Sequence, residues 1–398
     1  MLAYIDFEHY RIFSGLQHLR LAPLTVVFGR NNTGKSAVLR LPMLISSAMN
    51  SATDNVFEKK LKNGVTLCDE YRDVVYGKGN QAVGLHFVDE SGDAEVNVKF
   101  IAENTGGTSH SRIEELFIRN GEQLVEASVD DSNMLAKKDG KIVGTNGINP
   151  TSEPDMSIAK AAFKKIDMAI DYIGPVRWSP SRFIEIDGHP DGLSGMDGKT
   201  AYTYLINDSQ NVRHPLLDSV SEWYRTNFGG WRVEVGNSRS PVYSIELTND
   251  NLSGNNILDS GFGIQQSLPI VVAAYRKYNE PTLVIIEEPE THLNSSAHAE
   301  IGQLLAKASI ADRDKRFLVE THSLNLMIRL RTLIAKGELK KEDVALFYVN
   351  YDEEKSSSQL QEVIIKDNGE VEHWPEHMFK ETLSEALGLR NAQMEGKV

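Results

Sequence analysis

The chain has 398 residues, 40% of them hydrophobic, which is enough to bury a large core in one composite domain or in two. Its 42 basic and 56 acidic residues give a net charge of −14, so bulk charge attracts neither nucleic acid nor an anionic membrane, and only a local basic groove would do so. The single cysteine, Cys68, rules out an intrachain disulfide, predicts a cytoplasmic location and is interpreted as a small core residue. With no signal peptide and no apolar run of about 18 residues, we expect no membrane partner.

A glycine-rich segment near the N-terminus follows two predicted strands, residues 3–7 and 24–28, and precedes a predicted helix, residues 35–49. The segment reads GRNNTGKS, and its G-x-x-x-x-G-K-S spacing between a strand and a helix is typical of a phosphate-binding P-loop. A strand-to-helix turn without a ligand is the alternative. The predicted nucleotide contacts are Gly29, Arg30, Asn31, Asn32, Thr33, Gly34, Lys35, Ser36 and Ala37.

Each residue type in this segment has a chemical reason. Gly29 and Gly34 let the backbone turn tightly, and the N-terminus of the following helix favours an anion. The ammonium group of Lys35 would reach the β and γ phosphates, and the hydroxyl of Ser36 would ligate Mg²⁺. The sequence therefore predicts ATP and Mg²⁺ as ligands.

The pattern changes to short antiparallel strands between residues 82 and 145, after a short helix predicted at 56–61. Strands are expected at 82–88, 95–101, 113–119 and 123–129, with a further hairpin around 137–143. Lys137, Lys138 and Lys141 are interpreted as a solvated sheet edge. A mixed α/β region follows, with a helix at 158–172, a buried strand and loop within 172–199, a helix at 216–228 and strands at 231–235 and 243–247.

The last third alternates between strands and helices. Strands are predicted at 282–287, 316–320 and 345–349, and helices at 265–277, 295–308 and 324–335. This alternation indicates an α/β fold with a mainly parallel sheet that also includes the P-loop strand. We therefore divide the chain into a core, residues 1–80 and 255–398, and an insertion, residues 81–254.

Two carboxylates follow the apolar run that ends at residue 286. A buried parallel strand that delivers carboxylates at its C-terminal end supplies what a nucleotide hydrolase needs beside the phosphates. We assign Glu287 to Mg²⁺, through water, and Glu288 to the attacking water as general base. The alternative is an acidic, solvated strand end.

Two further sites follow the same logic. His322 comes directly after another apolar strand, where its ring could hydrogen-bond the γ-phosphate and the attacking water, although a lone histidine is more often structural. Ser260, Gly261 and Gly263 open an apolar helix and form a second anion-binding helix start. Because the P-loop already provides one phosphate site, this second one is expected to cap the nucleotide of a partner subunit.

Together these motifs resemble the ABC-type ATPases of the RecF/SMC branch, and most of all the arm-less AAA-type ATPases related to the OLD (overcoming-lysogenisation-defect) family. GRNNTGKS is similar to Walker A, LVIIEEPE to Walker B with its catalytic glutamate, and DSGFGIQQ to the signature motif. The segment 291–294 is similar to the D-loop, THS to the switch-histidine loop, and YIGPVR and HWP (residues 373–375) to segments of the arm-less group. The resemblance implies a P-loop NTPase of ABC/SMC-head type that hydrolyses ATP between two paired subunits.

The sequence also departs from this family. Glu287 stands where many ABC ATPases have aspartate, and Phe262 replaces a glycine of the signature motif. Only Gln81 and Asp73 are candidates for the Q-loop residue. The segment after Trp374 is too short for the Toprim metal domain of OLD-type nucleases, so we expect this protein to have no nuclease of its own.

The resemblance implies an ATP-driven homodimer, or a higher oligomer, that controls a separate nuclease-like effector in bacterial antiphage defence. One alternative is a RecF-like DNA-maintenance ATPase that binds DNA directly, and another is a nucleotide-gated scaffold with negligible turnover. The basic residues available for DNA form modest clusters: Lys164, Lys165, Arg329, Arg331, Lys340 and Lys341.

Overall fold

The computed structural model describes residues 1–105, 107–186, 192–239 and 241–372, and beyond these only residues 374, 388, 390, 391 and 393. The strands are β1 (Leu2–Glu8), β2 (Gln17–Arg20), β3 (Leu24–Gly29), β4 (Val83–Asp89), β5 (Ala94–Thr105), β6 (Thr108–Asn120), β7 (Gln123–Val129), β8 (Leu135–Ala136), β9 (Thr145–Asn146), β10 (Asn149–Pro150), β11 (Ala169–Ile173), β12 (Ile184–Glu185), β13 (Arg232–Arg239), β14 (Val242–Asn249), β15 (Leu252–Asn256), β16 (Thr282–Glu287), β17 (Lys315–Thr321), β18 (Val344–Asp352) and β19 (Ser357–Glu362). The α-helices are α1 (Lys35–Asn50), α2 (Asp155–Ile166), α3 (Thr200–Ser209), α4 (Pro215–Asn227), α5 (Phe262–Tyr275), α6 (Ser295–Ala311) and α7 (Leu324–Ala335).

A six-stranded sheet forms the centre of the protein, in the order β11-β16-β17-β3-β18-β19. Its first five strands are parallel, and β19 pairs antiparallel at the edge. Every residue of β16 and β17 is buried, as the near-continuous apolar runs of a sheet covered on both faces require. The predicted α/β fold with a mainly parallel sheet is thus confirmed.

Successive side chains of the central strands enter two separate cores, one on each face of the sheet. Val27 packs in one core with α1 and the N-terminal strands, while Val26 and Phe28 pack in the other with α5, α6 and α7. This alternation follows from the period of two along a strand. It places α1, which begins in the P-loop, on the opposite face from the helix that carries the signature motif.

A seven-stranded antiparallel sheet, in the order β2-β1-β4-β5-β6-β7-β8, contains the predicted meander. The meander continues the N-terminal hairpin, because β4 pairs with β1. Lys137, which follows β8, was expected to be solvated at the sheet edge. Instead its Nζ lies 2.7 Å from a carboxylate oxygen of the buried Asp155, at the start of α2. The division of the chain into a core and an insertion at 81–254 remains a prediction. Two strand pairings join the core to the insertion: β1 with β4, and β16 with β11.

Two predicted elements are wrong, and one helix was not predicted. Residues 56–61 form no helix, because side chains take their backbone donors: Val56 N–H donates to Ser111 Oγ and Glu58 N–H to Ser47 Oγ. The helix predicted at 158–172 ends at Ile166, and Ala169–Ile173 is instead β11, since pairing with β16 outweighs local helical pattern. Helix α3 lies where the sequence predicted no element, and residues 189–191 of the predicted loop lie outside the described residues.

Two smaller observations complete the fold. Cys68 is buried, and burial raises the pKa of its thiol to about 11, which agrees with a core residue and not a nucleophile. None of the described helices combines the length and apolarity needed to cross a bilayer.

Candidate nucleotide-binding site

The P-loop connects β3 to α1 through a backbone that two glycines make possible. Gly29 has φ +155°, and a Cβ there would lie 2.4 Å from the backbone oxygen of Val349. Gly34 has φ +101°, and its Cβ would lie 2.6 Å from Ile12 Cγ2. Both positions therefore require glycine, for conformation and for space.

Lys35 and Ser36 both point towards the end of β17. The Lys35 side chain is 4% exposed, and its Nζ donates to the backbone oxygen of Arg30 at 2.8 Å and lies 3.6 Å from Glu320 Oε1. Burial lowers the pKa of Lys35, although Glu320 partly offsets this effect. The Ser36 hydroxyl donates to Glu320 Oε2 at 2.8 Å.

Glu287 and Glu288 sit where β16 ends. Glu287 is 7% exposed, and its Oε1 accepts a hydrogen bond from the Tyr172 hydroxyl at 2.9 Å. Burial raises the pKa of Glu287. Glu288 leaves the strand with φ +46°, its N–H donates to the Glu320 backbone oxygen at 2.8 Å, and its Oε2 accepts from Thr291 Oγ1 at 3.0 Å.

Arg177, in the loop after β11, holds the backbone of the turn formed by Glu287 and Glu288. Its buried guanidinium donates to the backbone oxygens of Glu287, at 2.6 Å, and Glu288, at 3.0 Å. Burial lowers its pKa to about 10. The backbone of Arg177 also exchanges two hydrogen bonds with the Gln266 side chain on α5. One arginine thus links the signature helix to the turn that carries Glu288.

His322 lies beside the carboxylates of two neighbouring strand ends. A ring nitrogen of His322 and one carboxylate oxygen from each of Glu288 and Glu320 all lie within 4.8 Å of one another. The His322 N–H donates to Glu290 Oε1 at 2.7 Å, which fixes the loop after β17 against the loop after β16. Burial, followed by the charge of Lys35, lowers the pKa of the imidazole and favours its neutral form.

The signature residues Ser260, Gly261 and Gly263 lie at the start of α5. Ser260 Oγ donates to the Ile257 backbone oxygen at 2.6 Å, and Gly261 is exposed with no atom within 4 Å of its Cβ position. A Cβ on Gly263 would lie 2.5 Å from the backbone oxygen of His292, so the D-loop packs closely on this helix start. Within the described part of the chain, no hydrogen bond joins these three residues to the P-loop.

Sequence reasoning missed Glu320 and did not find a Q-loop residue. The two candidates stay away from the P-loop: Asp73 pairs with Lys78 at 2.8 Å in its own turn, and the Gln81 side chain is exposed beside Gly79. Glu320 was visible as the residue that ends an apolar strand, two positions before His322. No local signal in the sequence showed that it would meet Ser36.

The residues present fit a nucleoside triphosphate with Mg²⁺. Gly29 and Gly34 give the loop the positive φ angles of a tight turn, and the buried cation Lys35 follows it at the start of α1. The Ser36 hydroxyl stands among carboxylate oxygens, which is the ligand set that Mg²⁺ prefers. The sequence-predicted residues of Walker A, Walker B and the switch histidine are therefore brought together.

This fold is that of a P-loop NTPase domain of ABC and SMC-head type. In agreement, an SMC head bound to the C-winged helix domain of ScpA is similar in fold, with a TM-score of 0.52 and 10% identity over 91% of this chain and 98% of that one. The SMC head domain from Thermotoga maritima gives a TM-score of 0.41 at 11% identity, over 91% of this chain and 98% of that one.

Residues 24–328 match the family described as "AAA domain, putative AbiEii toxin, Type IV TA system", and the chain belongs to that family. Residues 339–389 match a family described as a protein of unknown function (DUF3696). Among curated proteins, Protein verrocchio of Drosophila melanogaster is 23% identical over 121 residues. That stretch covers 30% of this chain, and the chain spans only 56% of that relative.

Proposed function

We propose that this protein hydrolyses ATP with Mg²⁺ and uses the cycle as a dimer switch that controls a separate effector in antiphage defence. The observation that carries the ATPase part is the convergence of Lys35 and Ser36 with Glu288, Glu320 and His322 at the ends of three adjacent parallel strands. A bound Mg²⁺ would supply charge neutralisation at the phosphates.

Four residues of this chain have separate roles in the proposed hydrolysis. Lys35 holds the β and γ phosphates, and Glu288 accepts the proton of the water that attacks the γ-phosphorus as the bond to the bridging oxygen breaks. His322, kept neutral by its surroundings, orients that water by a hydrogen bond. Arg177 holds the main chain of Glu288, so that the carboxylate stays in place during turnover.

Self-pairing is supported by the surface around the signature motif. Large apolar side chains are exposed there, and the Arg182–Asp259 ion pair, at 2.7 Å, ties the loop after β11 to this surface. The exposed side chains are Val176, Phe183, Leu258 and Phe262. An apolar surface that surrounds an exposed helix N-terminus suits a partner subunit that presents a nucleotide.

We expect Gly261→Glu to bind ATP in its own P-loop but not to hydrolyse it. The new carboxylate would repel a partner's γ-phosphate, and the open space at Gly261 lets the variant fold. Mixing it with Lys35→Ala creates one composite site, formed by the P-loop of the first and the intact signature of the second. Steady-state ATPase assays of the mixture should show partial recovery. Leu124→Glu, which adds the same carboxylate at an exposed position of β7, is the control. No recovery in dimers shown to have exchanged subunits would contradict a shared site.

The defence role rests on the family description, which names a toxin, and on the resemblance to OLD-type ATPases. We propose that residues 82–250 bind the effector. Co-expression with the neighbouring gene, with an affinity tag on this protein, should recover a nucleotide-dependent complex, and this protein alone should degrade no DNA. Separate elution under ATP, ADP and nucleotide-free conditions, together with unchanged phage sensitivity after deletion of the gene, would reject this role.

Direct DNA binding is the less favoured candidate, because three of the six basic residues named for DNA pair with carboxylates. Lys165 lies 3.7 Å from Asp93, Arg329 pairs with Glu300 at 2.9 Å, and Lys341 pairs with Asp367 at 2.8 Å. Arg331 donates to the Gly369 backbone oxygen. A strong, salt-sensitive affinity for duplex DNA would reverse this preference.

A further inference from the structure

The carboxylate that stands beside Ser36 is Glu320, not Glu287. Ser36 Oγ and Glu320 Oε2 are 2.8 Å apart, and Glu320 Oε1 lies 3.6 Å from the ammonium of Lys35. Glu287 is turned instead towards β11, where Tyr172 donates to it. Two buried acidic side chains at neighbouring strand ends therefore have different partners, and only one of them is in contact with the P-loop.

Strand order explains this difference. Glu320 lies opposite Val27 of β3 in register, in the strand next to the one that enters the P-loop. Glu287 lies opposite Glu320, one strand further out. With about 4.8 Å between adjacent strands, β16 is about 9.6 Å from β3, so Glu287 reaches the Ser36 hydroxyl less easily than Glu320 does.

The two oxygens lie at hydrogen-bond distance, which is also compatible with two ligands of one cation. Mg²⁺ binds oxygens at about 2.1 Å in an octahedral shell, so two adjacent ligands lie about 3.0 Å apart. The 2.8 Å between Ser36 Oγ and Glu320 Oε2 matches one edge of such a shell. The same two atoms can share a hydrogen bond or share a cation without any movement of the backbone.

We propose that Glu320 is a direct ligand of the Mg²⁺ that accompanies the nucleotide, next to Ser36, and that Glu287 acts on the ion only through water. The inference rests on the proposed function, since it concerns the ion of the nucleotide complex. The proposal gives Glu320, near the end of β17, a metal-binding role. The two Q-loop candidates, Asp73 and Gln81, have their contacts elsewhere.

The test measures metal affinity rather than turnover. Mn²⁺ replaces Mg²⁺, and ADP replaces ATP so that no hydrolysis occurs. The protein is in excess over ADP, because unbound ADP would itself bind Mn²⁺, and free Mn²⁺ is counted by electron paramagnetic resonance. Glu320→Gln should weaken Mn²⁺ binding to the ADP complex by about 10–100-fold, a loss of the size seen when metal-site residues are removed. Glu320→Asp, which keeps the charge, should lie between this variant and the wild type.

Glu287→Gln is the matched control, because it neutralises the carboxylate on the neighbouring strand, and its effect on Mn²⁺ should be smaller. ADP affinity in excess EDTA should be the same in Glu320→Gln as in the wild type. Wild-type Mn²⁺ affinity in Glu320→Gln would overturn the inference, and so would a loss of ADP binding in EDTA, which would mean that Glu320 acts through Lys35. If the wild-type protein binds no Mn–ADP, the proposed function itself fails. Thermal unfolding of each variant verifies the fold.

Discussion

Replacing Glu288 with glutamine should lower ATP turnover by roughly 10²–10⁴-fold while leaving ATP binding intact. Glutamine keeps the shape of the side chain and can still accept the hydrogen bond from Thr291. It cannot take a proton from water, so the chemical step loses its base. The variant should therefore accumulate as an ATP-bound dimer, which size-exclusion chromatography with and without ATP would detect.

Glu290→Gln is a useful comparison for this variant. Glu290 is acidic too and is buried, whereas Glu288 is half-buried. Its Oε1 accepts the backbone N–H of His322, and it does not belong to the cluster of Glu288, Glu320 and His322. We expect a smaller loss of turnover from Glu290→Gln than from Glu288→Gln. Near wild-type hydrolysis by Glu288→Gln would transfer the role of general base to another residue, and His322→Ala would then be the next variant to measure.

Lys35→Ala should weaken ATP binding by at least about 100-fold, because it removes two charge-assisted hydrogen bonds worth about 1.5–3 kcal/mol each. The loss should be larger for ATP than for ADP, because ADP carries the β phosphate but not the γ phosphate. Calorimetric titration measures it directly. Lys35→Met, which keeps the apolar part of this buried side chain, distinguishes the loss of charge from a loss of packing.

Lys138→Ala provides the matched control, because that lysine is exposed at the far edge of the antiparallel sheet. It should bind ATP like the wild type. If Lys35→Met folds and keeps wild-type affinity for ATP, the assignment of the P-loop is wrong. The scaffold alternative makes a different prediction, namely tight ATP binding by the wild type with a single burst of hydrolysis and no steady turnover.

The parts of the site that could be predicted from the sequence are those with local signals. The P-loop has fixed spacing within eight residues, and Glu287, Glu288 and His322 follow apolar strands directly. Each of these signals lies within one strand and the turn after it. The structure brings them together because their strands are parallel neighbours, which alternation of strands and helices had indicated.

The parts that could not be predicted depend on register between distant segments. Glu320 meets Ser36 only because β17 lies between β16 and β3, and no pattern within one strand specifies that order. Strand β11 was read as the end of a helix, since the apolar spacing from residue 158 onward continues past Asp167, where the helix actually stops. Arg177 likewise acquires its role from contacts with residues about 90 to 110 positions further along the chain.

The pairing of β4 with β1 has a consequence for the solubility of the ATPase core. Strand β1 has seven residues and is paired on both sides, whereas the two edges of this sheet, β2 and β8, are short strands of four and two residues. Deleting residues 82–145 would expose the full length of β1 as an open edge, and such edges recruit strands from other molecules. We therefore expect the core without residues 82–145 to aggregate, so that the meander stabilises the core independently of any partner.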